Sequence, residues 1–186
     1  MIQLREPSWS AERLETFGRN LSGGIAGLDL VVSCRPGGEF SARLSLAGRL
    51  DARGVHVGGG DAEWVGQARE NLGRDALVGY SAHSAVEAAE AFALGADYVS
   101  LSPVFQPLSK EGDFQPLGLD ELQRACSLLD GPVYALGGVT PASAASIRAA
   151  GAAGTAVITA LLEAEEPGSV SSELCAPWTG HPEALT

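Results

Sequence analysis

Polar side chains that suit a phosphate-rich ligand follow several short apolar runs of the sequence. In a parallel α/β fold the carboxyl ends of the strands meet at one edge, so residues at these positions are expected to lie together. A guanidinium, an ammonium, a carboxylate and hydroxyls suit a phosphorylated ligand bridged by a divalent cation. These residues are Gln3, Arg5, Asp61, Ser81, His83, Ser109 and Lys110. For any one of them taken alone, a solvated loop position is the commoner role.

Two further segments place backbone N–H groups at predicted strand ends. The pair Gly137–Gly138 follows the run Val133–Leu136, and Ile158 and Thr159 close the next run. Barrel enzymes commonly form a phosphate site from such groups after their last two strands. Tight-turn chemistry explains the glycine pair equally well at this stage.

Two histidines and a cysteine complete the candidates for chemistry. His83 has the right side chain for proton transfer, although a lone histidine near a strand end is more often structural. His56 lies inside a predicted strand and is assigned to packing. Cys34 shows no local sign of thiolate activation, which favours a buried thiol.

Short apolar runs alternate with segments of helical period, which is typical of βα units and a parallel sheet. The predicted strands are Ile2–Leu4, Leu28–Ser33, Gly54–Val57, Leu77–Tyr80, Tyr98–Leu101, Val133–Leu136 and Gly154–Ile158. The predicted helices are Ser10–Leu21, Ala42–Leu50, Ala62–Leu72, Val86–Leu94, Leu119–Leu129 and Pro141–Ala150. Seven strands fit an eight-stranded barrel or a doubly wound sheet, and periodicity does not choose between them.

The composition bounds the partners and the compartment. The 186 residues include 12 Lys+Arg against 23 Asp+Glu, a net charge of −11, which gives no general attraction to nucleic acid or anionic membranes. Three widely spaced cysteines form neither a disulfide framework nor a zinc pattern. No apolar run has the length of a membrane span, and the first residues lack a signal-peptide core. We expect a cytoplasmic protein with no nucleic-acid or membrane partner.

Eight segments, in their order and spacing, resemble the thiamine-phosphate synthase family and its relative, the thiazole tautomerase family. The matching segments are residues 2–6, 54–61, 79–84, 95–105, 109–110, 116–119, 134–141 and 156–160. The resemblance covers residues 2–165 and implies a TIM (β/α)8-type barrel. Residues 1–165 are therefore assigned to one barrel domain, and residues 166–186, rich in serine, proline and glycine, to an irregular C-terminal tail.

The resemblance also implies a reaction and a set of ligands. The thiazole nitrogen of hydroxyethylthiazole phosphate would displace pyrophosphate from an aminopyrimidine methyl diphosphate, giving thiamine phosphate. The departing pyrophosphate then needs charge stabilisation by Mg²⁺ and cations. By the family pattern, the pyrimidine diphosphate is bound by Gln3, Arg5, Ser33, Ser81 and Lys110, with Arg5, Ser81 and Lys110 catalytic. Mg²⁺ is bound by Asp61, and the thiazole phosphate by Ser109, Gly138, Ile158 and Thr159.

Three departures from the family pattern affect these expectations. Pro7 stands where a basic residue is usual. Ser33-Cys34 replaces the usual Asn-Asp, whose Asp is a metal ligand, and a thiol is a poor ligand for Mg²⁺. A partly degenerate metal site is therefore predicted. Met1 stands directly before the first matched strand, so the barrel is expected to lack its first βα unit.

A barrel that lacks one strand exposes two parallel edges. These edges could be covered by the C-terminal tail, by an upstream segment or by a partner subunit in a homodimer. Two alternative functions also stay open: a tautomerase acting on carboxythiazole phosphate, with His83 as its proton-transfer group and no metal, and a non-catalytic domain that binds thiamine-pathway phosphates. Segments 102–105 and 116–119 favour the synthase, whereas the lost metal carboxylate favours the tautomerase.

Overall fold

The computed structural model describes residues 1–106 and 115–179, in which seven strands alternate with helices. The strands are β1 (Ile2–Leu4), β2 (Leu30–Cys34), β3 (Gly54–Val57), β4 (Leu77–Ala82), β5 (Tyr98–Leu101), β6 (Val133–Leu136) and β7 (Gly154–Ala156). The helices are α1 (Ala11–Gly24), α2 (Phe40–Arg49), α3 (Glu63–Leu72), α4 (Ala85–Ala93), α5 (Gly118–Leu128), α6 (Pro141–Ala149), α7 (Thr159–Leu162) and α8 (Pro167–Cys175). A 3-10 helix follows at Ala176–Trp178.

The chain divides into two compact units, which are described separately. The first unit comprises residues 1–81 and 91–97, and the second comprises residues 82–90 and, within the described ranges, 98–106 and 115–179. In the first unit β1, β2, β3 and β4 pair in that order, and every pair is parallel. In the second unit β5, β6 and β7 pair in parallel. Parallel neighbours that are consecutive in sequence require a crossover helix between them, as predicted.

The strands of the first unit are buried along most of their length. Val31, Val32 and Val55 are fully buried, as expected where helices cover a parallel sheet. Helix α1 begins after Ser10, whose hydroxyl oxygen accepts a hydrogen bond from the Arg13 N–H at 3.3 Å. This is the N-cap that the sequence predicts, and it places the polar turn after β1 ahead of the helix.

An arginine fixes the loops at the amino ends of the strands of the first unit. The Arg69 guanidinium donates to the carbonyl oxygens of Ala76 at 2.7 Å and Gly95 at 2.8 Å. It also pairs with the Asp97 carboxylate at 2.6 Å, which in turn accepts the Val78 N–H at 2.7 Å. This end of the unit is held by a satisfied polar network, so the residues at the carboxyl ends of the strands are available for a site.

The tail is more ordered than predicted. Helix α8 begins at Pro167 and ends at Cys175, inside the segment expected to be irregular. Leu174 is buried, and the Trp178 indole N–H donates to the carbonyl oxygen of Ala152 at 3.0 Å. The helix is stabilised by packing against α6, which a serine-rich local sequence does not reveal. The division of the chain at residue 165 stays a prediction.

Two strand boundaries differ from the prediction in ways that affect the candidate residues. Strand β4 continues to Ala82, so Ser81 lies inside the strand rather than after it. Strand β7 ends at Ala156, because Ile158 has already turned to become the N-cap of α7. Within the described ranges, β1 pairs with β2 alone and β7 with β6 alone. None of the helices in those ranges is both long and apolar enough to cross a lipid bilayer.

Candidate active site

The first unit contains four of the five residues that were predicted to bind the pyrimidine diphosphate, and the fifth, Lys110, lies outside the described residues. Gln3 lies in β1, Arg5 follows it, Ser33 lies in β2 and Ser81 in β4. Gln3 and Arg5 are exposed, whereas Ser33 and Ser81 are half-buried. All of them are at or near the carboxyl ends of adjacent parallel strands, where ligands of such sheets bind.

A histidine inside β3 joins this group. His56 is paired in register with Ser33 of β2 and Gly79 of β4. Because Gly79 has no side chain, the imidazole reaches the next residue on the same face of β4, and its Nε2 lies 2.8 Å from Ser81 Oγ. The packing role predicted for His56 is therefore incomplete, since the ring is also a polar partner of a candidate ligand.

The charge state of His56 follows from its position. The ring is 5% exposed, and this burial, with a smaller contribution from the Arg5 guanidinium, lowers the pKa of His56 to about 4. At neutral pH the imidazole is uncharged and either donates to Ser81 Oγ or accepts from it, according to its tautomer. Arg5, His56 and Ser81 thus form one electrostatically connected group. The position of His56 relative to Ser81 was not predicted from the sequence.

Asp61, the predicted metal ligand, follows the glycine turn after β3. Its Oδ1 accepts the Glu63 N–H at 2.9 Å, which fixes the carboxylate at the start of α3. Mg²⁺ is commonly held by one or two carboxylates together with substrate phosphates and waters. The exposed Asp61 carboxylate fits the role of a single protein ligand of that kind.

Cys34 does not provide a second metal ligand. Its side chain is fully buried at the end of β2, and burial, partly offset by the charge of Arg43, raises the pKa of the thiol to about 12. A neutral thiol neither coordinates Mg²⁺ nor acts as a nucleophile. Within residues 1–106 and 115–179, no three metal-ligating side chains come together. The residues therefore fit Mg²⁺ only when a bound substrate supplies most of its ligands.

The second unit contains the residues predicted to bind the thiazole phosphate. Gly138 follows β6, and Ile158 and Thr159 follow β7, its parallel neighbour. Thr159 is half-buried, whereas Ile158 is exposed at 51%. Gly138 and Ile158 can bind a phosphate only through their main-chain N–H groups, as the prediction requires.

The turn formed by Gly137 and Gly138, called the glycine turn below, is in close contact with residues 102–106 after β5, called the β5 turn. Both glycines have positive φ angles, +90° and +63°. A Cβ on Gly137 would lie 2.8 Å from Pro103 Cα, and one on Gly138 would overlap the carbonyl oxygen of Gln106. Both positions require glycine, so tight-turn geometry accounts for the pair whether or not a phosphate binds there.

His83 also lies in the second unit, in the loop before α4. Its ring is bonded to main chain through Nδ1, 2.7 Å from the carbonyl oxygen of Ser102. Ser109 and Lys110, which were predicted as ligands of the thiazole phosphate and the pyrophosphate, lie outside the described residues. The ligand roles of all these residues, like the metal role of Asp61, stay predictions.

Consecutive parallel βα units with polar side chains and a glycine turn at the carboxyl ends of their strands define an α/β enzyme of the TIM-barrel class that binds phosphorylated ligands. The family described as thiamine monophosphate synthase matches residues 1–161. The thiamine-phosphate synthase of Natronomonas pharaonis is 38% identical over 178 residues, which cover 94% of this chain and 79% of that protein. The thiamine-phosphate synthase of Chlamydia caviae is 34% identical, over 93% of this chain and 78% of that protein.

A two-function protein and a solved structure agree with this. The thiamine biosynthesis bifunctional protein ThiM/ThiE of Symbiobacterium thermophilum is 41% identical over 75% of this chain, which spans 29% of that longer protein. The solved thiamine phosphate pyrophosphorylase from Pyrococcus furiosus superposes with a TM-score of 0.79 at 28% identity, covering 95% of this chain and 81% of the solved chain. This chain belongs to the thiamine monophosphate synthase family.

Family membership confirms three of the predictions. The fold class is the TIM-type α/β fold, and a 3-hexulose-6-phosphate synthase at 22% identity shares that fold with a TM-score of 0.72. The chain is an enzyme of thiamine biosynthesis, a transferase, as the resemblance implied. Nothing in the comparisons favours the tautomerase or the non-catalytic binding domain.

Proposed function

We propose that this chain joins the thiazole nitrogen of hydroxyethylthiazole phosphate to the exocyclic methylene carbon of aminopyrimidine methyl diphosphate. The carbon–nitrogen bond forms, the carbon–oxygen bond to the diphosphate breaks, and pyrophosphate leaves with the bonding electrons. The observation that carries this proposal is the group formed by Arg5, His56 and Ser81, because its cation and oriented hydroxyl suit a departing diphosphate.

Residues of the first unit, together with Lys110, which lies outside the described residues, would bind and activate the pyrimidine diphosphate. Arg5 and Lys110 would neutralise the charge that develops on the leaving pyrophosphate, which is the main barrier to this chemistry. Neutral His56 would orient the Ser81 hydroxyl toward a phosphate oxygen without adding or removing a charge. Gln3 and Ser33 would contact the pyrimidine side of the same substrate.

The residues of the second unit would hold the thiazole phosphate. Main-chain N–H groups at Gly138 and Ile158, with the hydroxyls of Ser109 and Thr159, are donors suited to phosphate oxygens. These donors carry no charge, so they would position the nucleophile while the charge stabilisation is concentrated at the diphosphate. The two anionic groups would thus be bound by separate sets of residues.

Mg²⁺ is proposed as the cofactor, with Asp61 as its protein ligand. When bound, the ion would supply positive charge to the diphosphate oxygens. Support comes from the exposed carboxylate of Asp61 and from the fact that a diphosphate is itself a good Mg²⁺ ligand. The neutral thiol of Cys34 makes the site poorer by one carboxylate, so metal binding should depend strongly on the substrate.

The test is the formation of thiamine phosphate from the two phosphorylated substrates, measured as fluorescent thiochrome after oxidation. We expect product with MgCl₂ and none with excess EDTA. Full activity in EDTA would contradict the metal role of Asp61 but not the reaction itself. If a folded sample gave no product under any condition, the proposed reaction would be overturned.

A matched pair of variants at Cys34 sharpens the metal test. Cys34→Asp adds the carboxylate that is usual in the family, and Cys34→Asn has similar size without the charge. We expect the first to lower the Mg²⁺ concentration for half-maximal activity by about tenfold, because a second carboxylate attracts the cation directly. The second should leave it unchanged. Equal values for the two variants would remove the explanation by charge.

Cytoplasmic location and a homodimer stay predictions. Support for the first comes from the three unpaired thiols, Cys34, Cys126 and Cys175, which suit a reducing compartment. In a dimer, the partner subunit would cover the outer edge of β1.

A further inference from the structure

The His83 ring is tied to the main chain in a way that assigns its tautomer. Its Nδ1 lies 2.7 Å from the carbonyl oxygen of Ser102. A carbonyl oxygen only accepts hydrogen bonds, so the proton must be on Nδ1. In the neutral ring Nε2 is then the unprotonated nitrogen. His83 therefore acts here as a donor to the backbone.

The loop that carries this ring is itself anchored. Glu87 Oε2 accepts the His83 N–H at 2.7 Å, and Ser84 Oγ accepts the Glu87 N–H at 3.1 Å. The Ala85 N–H donates to Glu121 Oε1 of α5 at 3.2 Å. These bonds hold the His83 backbone at the N-terminus of α4, so its side chain can fix the position of Ser102 rather than follow it.

Ser102 needs the donor that His83 supplies. Its N–H donates to the carbonyl oxygen of Ala82 at 3.0 Å, while its carbonyl oxygen accepts from the imidazole. Pro103 comes next and has no N–H with which a strand could continue. Ser102 is buried, and a buried acceptor without a donor is costly. The imidazole supplies the donor to this carbonyl oxygen just after β5 ends.

The β5 turn in turn holds the glycine turn. The Val104 N–H donates to the carbonyl oxygen of Leu136 at 2.9 Å, and the Phe105 N–H donates to that of Gly137 at 3.0 Å. The two turns are in van der Waals contact at both glycines. A shift of the β5 turn would therefore displace the main chain at Gly138.

We infer that His83 is a positioning residue for the thiazole phosphate, acting through its Nδ1–H on the β5 turn and through that turn on the Gly138 amide. The inference rests on the proposed function for the identity of the ligand, whereas the chain of hydrogen bonds is independent of it. His83 itself touches neither reacting atom in this role.

Two isosteric variants test this. In His83→Asn the side-chain amide N–H falls near the position of Nδ1, whereas in His83→Gln it falls near that of Nε2. We expect His83→Gln to raise the KM for hydroxyethylthiazole phosphate about tenfold, as for the loss of one positioning hydrogen bond. His83→Asn should stay within about threefold of the wild type. The KM for the pyrimidine diphosphate should move less than about twofold in both, since the His83 ring is bonded to the β5 turn and not to the candidate ligands Gln3, Arg5 or Ser81.

Two spectroscopic readouts separate this inference from the proposed reaction. A long-range ¹H–¹⁵N spectrum of the wild type should show Nε2 of His83 unprotonated, with His83→Gln as the assignment control. The amide resonance of Gly138 should shift in His83→Gln and stay in place in His83→Asn. If the wild type makes no thiamine phosphate, the proposed reaction fails and these spectra still decide the positioning role. An Nε2–H tautomer, an unmoved Gly138 amide in His83→Gln, or equal KM values for the two variants would overturn it.

Discussion

The imidazole of His56 is nearly excluded from water and is also affected by the positive charge of Arg5, so its protonated form is disfavoured in the folded protein. Its pKa is lowered to about 4, whereas an unfolded chain has a histidine pKa near 6.5. Between these two values the unfolded state binds a proton that the folded state does not. Stability must then fall as the pH falls through this window.

The first prediction is that His56 makes the free energy of unfolding fall by about 3 kcal/mol between pH 7 and pH 4. The control is His56→Gln, whose amide keeps a hydrogen-bonding group near Nε2 but does not titrate. Urea unfolding of both proteins across this range should show their difference in stability shrink by that amount toward low pH. A difference that is independent of pH would mean that His56 has the same pKa in the folded and unfolded states.

Burial also shifts the pKa of Cys34, but upward, because the charged form of a thiol is the deprotonated one. Burial disfavours the thiolate, which raises its pKa to about 12, so the residue is a small apolar side chain at neutral pH. The thiol therefore adds no negative charge at the end of β2. In the proposed function, the expected consequence is a weaker affinity for Mg²⁺.

Strands β3 and β4 are in close contact where Gly54 is paired with Leu77. A Cβ on Gly54 would overlap the carbonyl oxygen of Leu77, which is main chain and cannot rotate away. The same pairing aligns His56 with Gly79 two residues further along. The glycine that begins β3 is therefore required by the pairing that brings His56 to Ser81.

The second prediction compares two Gly→Ala changes in the first unit. Gly54→Ala should destabilise the protein by about 3 kcal/mol or more, because β3 and β4 must separate. Gly48→Ala, inside α2 with nothing within 4 Å of the new Cβ, should stabilise it by about 0.5–1 kcal/mol through the higher helix propensity of alanine. Denaturant unfolding of both variants checks this. Similar effects of the two changes would show that contact with Leu77 does not govern the pairing.

The net charge of −11 is the property of the whole molecule that bears most on its partners. Both proposed substrates are anionic, so the general field of the protein does not attract them. Local cations such as Arg5 must provide the attraction at close range, where screening is weakest. The same field opposes binding of polyanions to the surface as a whole.

The third prediction is that the protein does not bind nucleic acid. At about 0.1 M salt it should pass through a heparin column without retention and leave the mobility of duplex DNA unchanged, because it has no counterions to release from a polyanion. A lysozyme sample, strongly basic, is the positive control for both measurements. Retention that weakens with rising salt would contradict this prediction and reveal a local basic surface that outweighs the net charge of −11.

Sequence reasoning predicted the βα alternation, the seven strands and most of the candidate ligands, because each depends on local patterns. A buried parallel strand is an apolar run, a helix cap is a serine or threonine, and a ligand at a strand end follows that run directly. The family resemblance added the reaction, since order and spacing of motifs are also read along the chain. The capping serine at position 10 and the strand Gly54–Val57 are correct on these grounds alone.

The tertiary structure determined the contacts and charge states that depend on residues distant in sequence. The bond of His56 to Ser81 spans 25 positions and that of His83 to Ser102 spans 19, so no local pattern reveals either one. Helix α8 forms because Leu174 and Trp178 find partners across the second unit, not because its serines favour a helix. The charge states of His56 and Cys34 are tertiary properties for the same reason, because burial is set by the chain segments that pack around a side chain and not by its neighbours in sequence.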